Sequence, residues 1–371
     1  MHNRSNCILA SLEKFGDFFR IFFPAVRNKR MSGTSKCAPL AARSNRLCSL
    51  RLNDGELPDI IRSLVVERSF LRKDEKPADI WSMVPNILQY LSSSTVSIRS
   101  VSKLAWSLDK LGMYEEQCWS KFILLMIHSA ASSPSDISIF LFSLANAFQR
   151  EPSLISREEL DNIWTVCVSG LPLDPRLSLC DSVQLFYASS VLYESRLSVK
   201  FGVHSMDLLS KVPYETHTSC RDICLMWSSV CKTGNMKDLE PLLEASRGLR
   251  YCRDFNQNKA AQIAESCMFL RIYDPRVISQ IINFVNVNHK TINGRNLLRI
   301  AQSFSKIGIS NEIFWKRIAQ RLQDPIGMKF SVEQIETFKS LLDGRLKSQR
   351  VFGILELFQK TKIDAKKFGP A

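Results

Sequence analysis

A nine-residue segment recurs along this chain at steps close to 37 residues, and nothing else in the sequence narrows the fold as far. Leu104-Ala105-Trp106-Ser107-Leu108-Asp109-Lys110-Leu111-Gly112 returns as Ile300-Ala301-Gln302-Ser303-Phe304-Ser305-Lys306-Ile307-Gly308, with four identities and three apolar-for-apolar exchanges. The frame also fits Met226–Gly234 and Ile263–Arg271, and weaker copies start at Leu141, Leu185 and Thr337. The anchors 104, 141, 185, 226, 263, 300 and 337 are 37, 44, 41, 37, 37 and 37 residues apart. Units of this length cannot bury an apolar face alone and must stack on their neighbours. The two longer steps read as loop insertions of seven and four residues, which cost little chain entropy.

Each unit has helical periodicity. Val101, Leu104, Leu108 and Leu111 share one face, and Gly112 stands where a helix C-cap belongs. A second amphipathic helix follows. It carries Trp119, Phe122, Ile123 and Met126 in the first unit and Trp315, Ile318 and Leu322 in the sixth, with Trp164 assigned the matching place in the second. Three residues after the anchor comes a small side chain, Ser107, Ala188, Ser229, Ser266, Ser303 or Ser340. The serines could offer hydroxyls to a ligand, but their place beside the apolar stripe argues for close helix packing. Leu144 breaks the rule and predicts a looser second unit. The expected fold is an all-α solenoid of about seven helix-turn-helix repeats over residues 98–361. Two capping helices within 54–97 precede it, the second starting at Pro77 and Asp79, and a loose tail at 362–371 follows.

At these repeats the chain resembles the heptatricopeptide-repeat proteins of organelles. These are relatives of octotricopeptide-repeat, RAP-domain and FAST-kinase-like RNA-binding proteins and of a helical module in a kinetoplastid RNA-editing mediator complex. The residues that carry the resemblance are the A-x-S-[LF]-x-K-[LI]-G core at 105–112 and 301–308, within a similarity covering about 57–361. It implies a non-catalytic organellar role in RNA stability, processing or ribosome assembly. No strand-rich segment follows the last repeat, so a RAP domain and its nuclease-like chemistry are not carried over.

The charge distribution agrees with an organellar address. Of a net charge of +14, residues 1–53 hold +8, and no Asp or Glu occurs between Phe18 and Asn53. Ile8, Leu12, Phe15, Phe19 and Phe22 fall at helical spacing before Pro24. An amphipathic, basic, acid-poor leader is the mitochondrial or plastid type, and the mitochondrial matrix is the expected compartment. Glu13 and Asp17 leave room for the other reading, a basic arm that stays attached. No run approaches the roughly 20 apolar residues of a membrane-spanning helix.

Nothing in the chain announces catalysis or a cofactor. There is no phosphate-binding Gly-rich loop, no His-Glu-x-x-His and no Gly-x-Ser-x-Gly. Lys232-Thr233-Gly234-Asn235 has the wrong order for a P-loop and fits a helix end. Eleven cysteines include no Cys-x-x-Cys pair. Cys220, Cys224 and Cys231 form the closest grouping, and i, i+4 spacing suits two buried thiols as well as it suits ligands, so no metal is expected.

A stacked array binds through equivalent positions of successive units. At 100° per residue, positions −5, −1, +2 and +6 from the anchor lie opposite the apolar face. They are Arg99, Lys103, Trp106 and Lys110 in the first unit, and Arg221, Leu225, Ser228 and Lys232 in the fourth. In the sixth they are Arg295, Arg299, Gln302 and Lys306. The third unit offers Gln184 and Tyr187, and the fifth Asn258, Gln262 and Glu265. Arg and Lys suit phosphates, while amides and an aromatic ring suit bases. Together with the organellar role that the resemblance implies, this makes RNA, as mitochondrial mRNA or rRNA, the expected partner. The same charges would also suit a merely solvated face, and exposed Trp106, Tyr187, Leu225 and Phe269 would suit a protein-docking scaffold.

Overall fold

The computed structural model describes residues 83–93, 96–128, 133–168, 177–193, 195–213, 219–234, 238–323 and 330–343, with scattered positions in 57–65 and 353–360. The predicted leader, 1–53, and tail, 362–371, lie outside the described residues. Every described residue belongs to one compact unit, which is helical and contains no strand among the described residues. The helices are α1 (Val84–Leu91), α2 (Ile98–Leu111), α3 (Glu116–Ile127), α4 (Pro134–Arg150), α5 (Arg157–Ile163), α6 (Leu179–Val191) and α7 (Ser195–Ser210). They continue as α8 (Cys220–Thr233), α9 (Glu240–Ser246), α10 (Gln257–Leu270), α11 (Pro275–Asn288), α12 (Gly294–Lys306), α13 (Glu312–Leu322) and α14 (Val332–Leu342).

Packing separates them into two rows. Each even-numbered helix contacts the next even one, from α2 to α14. Odd-numbered helices do the same from α1 to α5 and from α7 to α13. All seven even helices begin in the same way. Ser97, Ser133, Ser178, Ser219, Asn256, Asn293 and Ser331 are their N-caps, each accepting a hydrogen bond from a backbone N–H in the first turn. Such a cap is worth about 1 kcal/mol, because it satisfies a donor that the helix itself leaves unpaired. Seven residues after each cap stands an apolar side chain: Leu104, Phe140, Leu185, Met226, Ile263, Ile300 or Phe338. Each of the seven is essentially sealed from solvent.

That register corrects two sequence anchors by one residue. Phe140 replaces Leu141 and Phe338 replaces Thr337, so Ser143, not Leu144, is the small residue of the second unit. Ser107, Ser143, Ser229, Ser266 and Ser303 each donate to the carbonyl four residues earlier, at 2.8, 2.8, 2.7, 3.0 and 2.8 Å. Their hydroxyls are thereby satisfied within the helix, and a small side chain faces the neighbouring helix. Leu144 is fully buried beside Ser143, and the looser packing expected of this unit is not found.

The helix ends repeat as well. The described residues with positive φ are Gly112, Tyr193, Gly234, Arg271 and Gly308, each eight residues after an anchor. Behind Gly112, Arg271 and Gly308 the next N–H reaches back to Leu108, Cys267 and Phe304, at 2.9 Å in each case. Glycine suits this left-handed position, and the fifth unit holds it with arginine instead. Arg271→Gly is expected to stabilise the protein by about 1 kcal/mol by removing a Cβ from left-handed backbone. An unchanged or lowered thermal midpoint would show that the arginine side chain has a compensating role. Tyr193 is different, because its ring packs edge-on against Phe148 at 6.3 Å.

Two tryptophans lock the turn between the rows. Trp119 and Trp315 are buried and donate their indole N–H to the carbonyls of Met113 and Ile309, six residues earlier, at 3.1 and 2.9 Å. Trp164 does not take the matching place. It lies in a π-helical turn, Trp164–Val168, and its buried Nε1 has no hydrogen-bond partner among the described residues. The described part of the capping region is α1, which starts after Met83 with Pro85 in its first turn, while Pro77 and Asp79, expected to start that helix, lie outside the described residues. Among the described residues no helix is long and apolar enough to cross a membrane.

Candidate nucleic-acid interface

The basic stripe divides into two kinds of position once it is laid on the helices. Lys110, Lys232 and Lys306 sit in the last turns of α2, α8 and α12. The helix macrodipole favours a cation there, so a structural reason suffices. Arg99, Arg221 and Arg295 are each the second residue of those helices. A cation in the first turn opposes the macrodipole at roughly 0.3–1 kcal/mol, so these three arginines are held against a local cost.

A cleft of about 620 Å³ opens along the N-terminal halves of α2, α4 and α8, with the middle of α6 on its wall. Five predicted residues line it: Arg99, Lys103, Trp106, Gln184 and Arg221. They come from three different units. Arg62 joins them from outside the repeat frame. Against these four cations the wall presents one carboxylate, Asp136, which accepts from its own N-cap Ser133 at 2.7 Å. Lys103 is held by Asp59 at 3.0 Å. The Arg221 guanidinium lies over the Phe142 ring, 4.8 Å from its centroid, a contact that positions the group without neutralising it.

The third unit departs from the expectation of an open face. Every residue from Asp181 to Leu192 is buried, because α6 packs against α4, α7 and α8 together. Tyr187 is 7% exposed; its hydroxyl donates to Gln149 at 3.1 Å and its ring tilts against Phe142 at 5.4 Å. Burial pushes its pKa up to about 12. It is a packing residue and not an exposed base platform. Gln184 is 5% exposed, yet it borders the cleft. Its Nε2 donates to Cys180 Sγ at 3.2 Å, while its Oε1 has no hydrogen-bond partner among the described residues. The signal for this burial was present in the sequence, since Ser182–Leu192 contains no charged residue.

The remaining predicted residues lie elsewhere. Arg295 and Arg299 border a second, smaller hollow of about 430 Å³ with Asn258, Asn296 and Gln334. Arg299 is committed there: Glu265 accepts from its Nε at 2.6 Å and its Nη2 at 2.5 Å, and Asn296 from its Nη1 at 3.1 Å. The hydrogen bonds to Glu265 raise the arginine's pKa further. Gln262 donates to the Cys224 carbonyl at 3.4 Å and so bridges α10 to α8. Gln302 is half-buried on α12. Lys110 pairs with Asp109 at 3.6 Å.

The cysteines behave as thiols in a core. Cys220 and Cys224 sit 4.0 Å apart, sulfur to sulfur, and Cys231 turns away to the Ser266 carbonyl at 3.7 Å. Burial raises the Cys231 pKa, which disfavours the thiolate that would bind metal. Among the described residues no three His, Cys, Asp or Glu side chains are placed to share a metal ion. In comparisons with known proteins, the chain matches no family model and no curated sequence.

Proposed function

We propose that the two rows form an α-solenoid of seven helix pairs, and that the cleft across α2, α4, α6 and α8 binds single-stranded RNA without chemistry. The observation that carries this reading is the cleft's lining. Four cations, Arg99 and Lys103 on α2, Arg221 on α8 and Arg62 before the first repeat, line the cleft with one half-buried tryptophan; Asp136 is the carboxylate on its wall, and Asp59 pairs with Lys103. Arginines spaced along a groove meet successive phosphates, and an aromatic ring beside them can stack a base. The setting we propose is the mitochondrial matrix, in RNA stability and processing or in ribosome assembly. That part rests on the basic leader and the repeat resemblance.

Two measurements test the reading. Fluorescence anisotropy with the purified full chain is expected to show binding to a labelled single-stranded RNA that weakens steeply with salt. Ultraviolet crosslinking in cells is expected to recover organellar transcripts or rRNA. If both are negative with well-folded protein, the RNA reading is lost. Docking of a protein partner then becomes the better account, through apolar side chains such as Phe269 and Tyr273, about two-thirds exposed at 67% and 66%.

A further inference from the structure

The second hollow, of about 430 Å³, lies at the starts of α10, α12 and α14, and no carboxylate is among its described lining residues. A chain of hydrogen bonds fixes which end of each lining amide is engaged. Glu265 holds the Arg299 guanidinium by two bonds, and Arg299 Nη1 donates to Asn296 Oδ1 at 3.1 Å. Asn296, only 2% exposed, is thereby oriented with its Nδ2 donating to Asn258 Oδ1 at 2.6 Å. That leaves Asn258 with its amino group open. Asn293 and Gln334 are fixed in the same sense: Asn293 Oδ1 accepts from the Asn296 N–H at 2.9 Å, and Gln334 Oε1 from the Ser331 N–H at 3.0 Å. All four amide oxygens are engaged by the protein, whereas the amino groups of Asn258, Asn293 and Gln334 donate to no described residue.

We propose that this hollow binds one phosphate group, with Arg295 supplying the charge and Asn258, Asn293 and Gln334 supplying amide N–H donors. Arg295 lines the hollow and has no hydrogen bond or ion pair to a described residue, whereas Arg299 is neutralised by Glu265. One uncompensated cation matches one negative charge, and several N–H groups match the acceptor oxygens that a phosphate presents. The donors can be reached from solvent, since Asn258, Asn293 and Arg295 are exposed and Gln334 is half-buried. The helix ends are not themselves the site: Asn256, Asn293 and Ser331 already cap first-turn N–H groups of α10, α12 and α14. What is offered to a ligand is a set of side chains whose orientation is fixed from the buried Asn296 outward. The site is separate from the cleft across α2, α4, α6 and α8 and stands whether or not that cleft takes RNA.

Thermal unfolding of the full chain in sodium phosphate, against sodium chloride of equal ionic strength, reads the site by linkage. At about 20 mM phosphate and a dissociation constant of about 1–2 mM, the wild-type midpoint is expected to rise by about 2–4 °C. General exclusion of phosphate from protein surface would raise every variant alike. Arg295→Gln and Asn258→Asp are each expected to lose most of the rise while melting no lower than wild type in chloride, because both changes suit the first turn of a helix. Asn258→Asp keeps the oxygen that Asn296 needs and replaces the open amino group by an acceptor. The rise is expected to persist in Arg99→Gln with Arg221→Gln, which removes cations of the other cleft. No rise in the wild type overturns the assignment. A rise undiminished in Arg295→Gln or Asn258→Asp, or one lost in Arg99→Gln with Arg221→Gln, overturns it as well. Polyuridylate then identifies the source of the phosphate. About threefold weaker binding by Arg295→Gln, with the salt slope flattened by about 0.7, assigns the hollow to a strand's backbone. Unchanged binding assigns it to inorganic phosphate or a small phosphate ester. If the wild type does not bind polyuridylate, the RNA reading fails while the midpoint shifts still decide the hollow.

Discussion

Trp119→Ala is expected to lower the unfolding free energy by about 4 kcal/mol, since truncating a fully buried tryptophan typically costs 3–5. Against a total stability of roughly 5–15 kcal/mol, this approaches loss of the folded state. The indole does more than fill space. It donates to the Met113 carbonyl at 3.1 Å, and the Met113 N–H in turn closes the α2 C-terminus on Leu108 at 2.9 Å. Its edge also meets the Phe122 ring at 5.7 Å. One side chain therefore pins α3 to the turn that ends α2. The sixth unit repeats the device: Trp315 holds the Ile309 carbonyl, and the Ile309 N–H closes on Phe304. Trp119→Phe separates the two contributions. It keeps most of the apolar area and loses the hydrogen bond, for an expected loss of roughly 1–2 kcal/mol. Urea unfolding followed by circular dichroism measures both. An alanine variant that unfolds at the wild-type midpoint would mean the turn is held by other contacts.

The repeat was legible in the sequence where a unit mixes polar and apolar residues, and obscured where it does not. Gly112, Gly234 and Gly308 marked helix ends correctly because glycine is the residue that left-handed backbone favours. Arg271 and Tyr193 hold the same conformation without that signal. The second unit was misread by one residue because Phe140, Leu141 and Phe142 are all buried, so apolar spacing there carries no phase. The N-cap Ser133, seven residues before Phe140, would have supplied it.

The candidate site was legible only as separate faces. Helical geometry placed Arg99, Lys103, Trp106 and Arg221 on one side of their own helices, and the cleft contains all four. It could not show that positions 99 and 221 border one cavity, because that depends on how α2, α4, α6 and α8 stack. The same geometry failed for Tyr187, since it assumes an open side that α6 lacks. Arg62 was missed because it precedes the first repeat and has no counterpart in the frame. Arg299 was read as a free charge, whereas it joins α12 to α10 through Glu265. A test at Arg299 would therefore disturb packing along with any charge effect.

The cleft arginines offer a cleaner separation of binding from folding. Arg62→Gln, Arg99→Gln and Arg221→Gln combined are expected to weaken single-stranded RNA binding about 100-fold at low salt, at roughly 1 kcal/mol per lost phosphate contact. The slope of log affinity against log salt is expected to flatten by about two, since each contact to a single strand contributes about 0.7. Stability is expected to hold or rise slightly, because Arg99 and Arg221 stand in first turns where the macrodipole disfavours them. Loss of the Arg221 contact with Phe142 offsets part of that gain. The paired control is Lys232→Gln with Lys306→Gln, which removes two cations from last turns. It is expected to lower stability by about 0.5 kcal/mol and to leave RNA affinity unchanged. If both variants weaken binding in proportion to charge removed, the protein attracts RNA through its net charge and the cleft has no special part. If only the arginine variant does so, with its melting temperature preserved, arginines that work against their own helices are explained by the strand they hold.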